Sequence, residues 1–132
     1  MYKYALLFAL LFNTLSASQL SDTALAQGDF TKAFKLLQQE ATDGNAQAEY
    51  NLALMYYRGD GVKQNIEKSA ELLEKSAEKG YKLAIQNIGQ IYMQLLKFDK
   101  AKKWLKINAQ NGDANAKELL KSIEETELRE PL

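Results

Sequence analysis

A chain of 132 residues with 46% hydrophobic residues has the length and apolar content of a single domain. Its 17 lysines and arginines balance 17 aspartates and glutamates, which gives no support to broad electrostatic capture of nucleic acid or anionic lipid. With no His and no Cys in the sequence, Ser-His-Asp and Cys-His nucleophile pairs, zinc sites built on those ligands and disulfides are all excluded.

In chain order, the first stretch is a leader. Met1-Tyr2-Lys3 is a weakly positive start, Ala5 to Phe12 is apolar, and Ser16-Ala17-Ser18 places small residues before a cleavage point. That is the plan of a secretory signal peptide over residues 1–18, cleaved after Ser18. The apolar run falls short of the roughly 20 residues that span a bilayer, so the mature chain is expected to have no membrane insertion. Retention of the run as an anchor is the alternative. No cysteine follows it to carry a lipid. The expected address is a bacterial periplasm, or secretion beyond it.

Helical periodicity then takes over. Gln19 to Gln27 predicts a short helix with Leu20, Ala24 and Leu25 as its apolar residues, ended by Gly28-Asp29. Phe30, Ala33, Phe34 and Leu37 give the inner face of a second helix that closes at Asp43-Gly44. Residues 45–80 form a full hairpin: Ala48, Leu52, Met55 and Tyr56 share one helix face, and Ile66, Ala70, Leu73 and Ala77 share another. Between them, Gly59 and Gly61 suit positive φ and Val62 follows; Asn65 caps the next helix and Gly80 ends it. The turn itself demands those glycines, so Arg58-Gly59-Asp60 is read as turn chemistry and not as an adhesion tripeptide.

The pattern recurs. A shift of 36 carries Ala48, Asn51, Leu52, Met55 and Tyr56 to Ala84, Asn87, Ile88, Ile91 and Tyr92. A shift of 32 carries Lys68, Leu72, Leu73, Ala77 and Gly80 to Lys100, Trp104, Leu105, Ala109 and Gly112, so the copy at 81–112 is shortened in its turn. Helix pairs repeating at such a period mark an all-α solenoid of stacked hairpins, about seven helices after the leader. The units are a partial repeat at 19–44, the full repeat at 45–80, the shortened one at 81–112, and a capping helix and tail at 113–132. Phe98, Ala101, Trp104 and Leu105 are expected to form the best buried aromatic cluster. In the last helix Ala116, Leu120 and Ile123 keep the register, while Lys121 and Glu124 put charge where another helix would pack, which closes the stack.

Ala48…Leu52-Ala53…Tyr56…Gly59-x-Gly61-Val62…Asn65…Lys68-Ser69…Lys75-Ser76-Ala77-Glu78-x-Gly80 resembles a Sel1-like repeat, a relative of the tetratricopeptide repeat. Asn65 stands for the usual Asp, and Ala53 and Ser69 for the usual Gly and Ala. The 81–112 copy, with Gly89, Tyr92, Ala101 and Trp104, is more similar to a tetratricopeptide repeat. The resemblance implies a right-handed solenoid. Relatives that are secreted and cysteine-rich staple each repeat; this chain has no cysteine, so their special functions do not carry over.

No catalytic residue, metal site or cofactor is expected. Carboxylate pairs such as Glu124 and Glu125 belong to exposed helix, and Gly59-x-Gly61 follows a helix where a phosphate loop would follow a strand. Function is therefore sought on the concave side, lined by the first helix of each unit. The candidate residues there are Gln47, Tyr50, Asn51, Leu54 and Tyr57, and their equivalents Leu83, Gln86, Asn87, Gln90 and Met93. Aromatic and amide side chains of this kind grip a peptide's backbone and apolar groups. The resemblance implies that Asn51 and Asn87 form a ladder to a bound main chain; the other reading is that they tie neighbouring helices together. The expected function is a monomeric, exported scaffold that binds another protein or peptide. The alternatives are a cell-envelope glycan or peptidoglycan binder or enzyme, and an inhibitor or immunity partner of an exported toxin.

Overall fold

A computed structural model describes residues 16–129, so nearly all of the expected leader, and the last residues of the tail, lie outside the described part. Seven α-helices follow one another: α1 (Ala17–Ala26), α2 (Phe30–Thr42), α3 (Ala46–Arg58), α4 (Ile66–Glu78), α5 (Lys82–Gln94), α6 (Phe98–Gln110) and α7 (Ala114–Arg129). Among the described residues there is no strand. Short polar side chains start several of the helices. Asp29, Asn45, Asn65 and Asp113 accept hydrogen bonds from the backbone N–H of Lys32, Ala48, Lys68 and Ala116, occupying donors that a helix start leaves open. α1 begins at Ala17, two residues before the expected start, because Ser16 and Gln19 form a capping box. The expected cleavage point after Ser18 falls within its first turn.

Each helix packs against its neighbours in sequence, from α1 on α2 through to α6 on α7. The molecule is thus an all-α solenoid in which odd-numbered and even-numbered helices form two rows. Its core runs the length of the stack through Leu37, Leu52, Met55, Leu73, Ile88, Tyr92, Trp104, Leu105 and Ile123. Each large apolar side chain so buried contributes about 1.5–3 kcal/mol. Ala33, Ala53, Ala84 and Ala101 are fully enclosed, and their small size lets the helix backbones approach.

The turns match the shortened repeat. Residues 59–65 link α3 to α4, with Gly59 left-handed at φ 81, whereas residues 95–97 link α5 to α6, with Leu96 at φ 56. Two aromatic expectations need correction. Phe98 is 43% exposed and Phe30 39%, while Ala101, Trp104 and Leu105 are buried as expected. Both phenylalanines stand at the first residue of their helices, on the edge of the stack. The Gly61 turn covers Phe30 in part, but among the described residues no such turn reaches Phe98, since α7 stays helical to Arg129. Phe34 and Tyr56 are half-buried and meet edge to face at 5.6 Å. Lys121 and Glu124 are exposed on α7.

Candidate functional site

The odd row carries the candidate surface. On α3, Tyr50, Asn51, Leu54 and Tyr57 are half-buried and Gln47 is exposed; on α5, Asn87 and Met93 are half-buried and Leu83, Gln86 and Gln90 are exposed. Two hydrogen bonds join the helices. The Asn87 amide donates to the Tyr50 hydroxyl at 3.2 Å, and the Tyr57 hydroxyl donates to Gln94 Oε1 at 3.3 Å. The Tyr50 ring also lies 5.2 Å from that of Tyr81, at the start of α5. Asn51 and Asn87 are therefore not an equivalent pair. The Asn87 nitrogen is committed to Tyr50, whereas the Asn51 side chain makes no hydrogen bond among the described residues. Met93 belongs to a separate place, a cavity of about 580 Å³ that it lines with Leu96, Phe98 and Ile123.

The turn residues act on the backbone. Gly59 N–H and Asp60 N–H both donate to the Met55 carbonyl, and Asn65 N–H donates to that of Tyr56. Val62 is half-buried against the core. Asp60 within Arg58-Gly59-Asp60 is thereby part of the helix ending.

Two polar clusters escaped the sequence reading. In the even row, Glu74 on α4 accepts from Tyr92 Oη at 2.6 Å, Lys100 Nζ at 2.8 Å and, more weakly, Trp104 Nε1 at 3.4 Å. One carboxylate thus joins the full repeat to the shortened one. Burial disfavours its charge, but these donors outweigh burial and hold the carboxyl below its ordinary value. Burial, and then the bond to Glu74, push the Tyr92 hydroxyl up to about 12. The second cluster lies at the junction between the first two units. Glu49 is buried on α3, and its Oε1 takes Lys79 Nζ at 2.6 Å; the same Nζ donates to the Gly44 carbonyl at 3.1 Å. Glu49 Oε2 and Glu40 Oε1 are buried without a hydrogen-bond partner among the described residues. A signal was available: Glu49 lies four residues before Ala53, and Glu40 three after Leu37, so both sit on core-facing registers.

Among the described residues no group of three or more carboxylates could hold a metal ion, and no helix is long and apolar enough to cross a membrane. What the geometry defines is a class, a stack of helical hairpins presenting side chains from one row.

The family follows from comparison. The Sel1 repeat model matches residues 23–45 and 46–81. A sel1-like repeat-containing protein of Acanthamoeba polyphaga mimivirus is 42% identical over 45 residues, 34% of this chain and 8% of its own length. The ERAD-associated E3 ubiquitin-protein ligase component HRD3A of Arabidopsis thaliana is 31% identical over 68 residues, 51% of this chain and 10% of its own. The solved structure of a protective antigen from uropathogenic Escherichia coli, displaying an SLR fold, superposes with a TM-score of 0.67 at 29% identity. That match covers 85% of this chain and 26% of the antigen. Residues 23–81 of the chain carry the Sel1 repeat, the chain shares the SLR fold, and it spans a tenth or less of the curated relatives it matches. Such repeats generally mediate protein–protein interaction, and the proteins built from them are generally scaffolds without catalytic activity.

Proposed function

We propose that this chain is an exported scaffold that takes an extended peptide or protein segment along the α3–α5 surface of the odd row. The observation that carries the reading is the pair of inter-helix bonds, Asn87 to Tyr50 and Tyr57 to Gln94. They hold two aromatic side chains in fixed positions beside the unbonded amide of Asn51 and the exposed amides of Gln86 and Gln90. Aromatic anchors already fixed before binding lose little entropy when a partner arrives, and free amides beside them can read its main chain. Export rests on the leader at residues 1–18, and the compartment proposed is the periplasm.

The test uses mature protein beginning at Gln19 as bait in envelope extract. Replacing Asn51 and Gln90 by alanine, with helicity intact by circular dichroism, should abolish capture of a partner that the unaltered protein retains. Equal capture by both would move the site off this surface. Binding or hydrolysis of muropeptides would instead favour the glycan reading.

A further inference from the structure

The Lys79 bridge has no counterpart one repeat later, and a cavity stands in its place. A shift of 36 carries Gly44 to Gly80 and Glu49 to Ile85, and the shift of 32 that carries Gly80 to Gly112 brings Lys79 to Asn111. Gly80, Ile85 and Asn111 all line a cavity of about 680 Å³ beside the turns that precede α5 and α7. The glycines register the difference: a Cβ on Gly44 would meet Lys79 Nζ at 3.9 Å, whereas one on Gly80 would meet nothing within 4 Å.

The walls of this cavity offer acceptors. Asn108, in the lining, is 2% exposed, and its Nδ2 donates to the carbonyls of Ile85 at 2.9 Å and Gln86 at 3.3 Å. Carbonyls only accept, so the amide nitrogen must face them and Oδ1 must face the other way. That oxygen makes no hydrogen bond among the described residues. The Gly80 carbonyl holds the repeat position of the Gly44 carbonyl that Lys79 reaches. Asp113, whose Oδ1 accepts from Ala116 N–H, brings a negative charge to the lining, as Glu49 does one repeat earlier. Lys82 is the one cation in the lining, and it is exposed.

We infer that this cavity is a site for a primary alkylammonium group of the kind a lysine side chain carries, seated as Lys79 is seated on Gly44 one repeat earlier. Asn108 Oδ1 and the Gly80 carbonyl would accept from it, and Asp113 would balance its charge. The site borders the α3–α5 surface at Gln86, but the groups named here, Asn108, Gly80 and Asp113, lie outside that surface, so the inference stands or falls without it.

The experiment titrates the isotope-labelled full chain with Nα-acetyl-lysine methylamide, and with the same compound acetylated on Nε, by NMR. Saturable shifts of the Asn108 side-chain amide and of Gly80 and Ile85 are expected with the free amine alone. Asn111→Lys, which returns a tethered ammonium to the cavity, should weaken binding at least about tenfold while its spectrum stays folded. Lys82→Ala should tighten binding by removing a like charge. The inference is overturned by any of four results: no saturable shift, equal response to the acetylated compound, indifference to Asn111→Lys, or weaker binding in Lys82→Ala.

Discussion

Gly61 is pressed against the backbone of Phe30: a Cβ added to it would stand 2.6 Å from the Phe30 carbonyl oxygen. The turn of the full repeat thereby rests on the first residue of the second helix of the preceding unit, and it does so at φ 66. Contact and backbone conformation both require glycine there.

Gly61→Ala should therefore destabilise the chain by about 2–4 kcal/mol, the sum of left-handed strain and displacement of a backbone neighbour. Gly59→Ala shares the positive φ but meets its nearest atoms only at 3.4 Å, so it should cost about 1–2 kcal/mol. Urea midpoints of the two variants check the order.

The Glu74 hub makes stability depend on pH at both ends. Its carboxyl is held below 4.5 in the folded chain, so its contribution is complete above pH 4.5 and is lost as pH falls through the folded value. Tyr92 rises from 10.0 to about 12, so its contribution is complete below pH 10.0 and is lost as pH climbs toward 12. Lys100 is raised too, chiefly by its bond to Glu74, and acts in the same direction. Glu74→Ala strands the Tyr92 and Trp104 donors and should cost about 1–3 kcal/mol at pH 7. Denaturation across pH should show the gap between unaltered protein and Glu74→Gln closing below pH 4.5, and that with Tyr92→Phe closing above pH 10.

Lys79 neutralises a carboxylate that is itself 4% exposed. Lys79→Asn alone should cost about 1–3 kcal/mol, the lower end reflecting the partly solvated ammonium. Adding Glu49→Ile, which makes the junction match Ile85 and Asn111 one repeat on, should recover most of the loss. A double-mutant cycle by thermal or urea unfolding measures the coupling.

Trp104 and Phe98 should part company. Trp104→Ala empties an enclosed site and should cost about 3–5 kcal/mol. Phe98→Ala removes a side chain that is 43% exposed and should cost about 1–2 kcal/mol. Equal losses by urea titration would show that α7 buries Phe98 in solution.

The sequence by itself determined the helices, their caps and their order. Ala48 to Ala77 repeats at helical spacing, Asn65 caps, Gly59 and Gly61 stop, and the same signals recur at 81–112 with the turn cut short. Those are local choices, written within a few residues of where they act. Tertiary structure alone decided which polar groups meet across units. Glu74 finds Tyr92 and Lys100, 18 and 26 residues away, and Asn87 finds Tyr50 at a separation of 37. It also decided that Phe98, in register with Phe30, remains on an open edge. Periodicity names the face a residue occupies, but the neighbour on that face belongs to another hairpin, and only the stacking of hairpins brings it there.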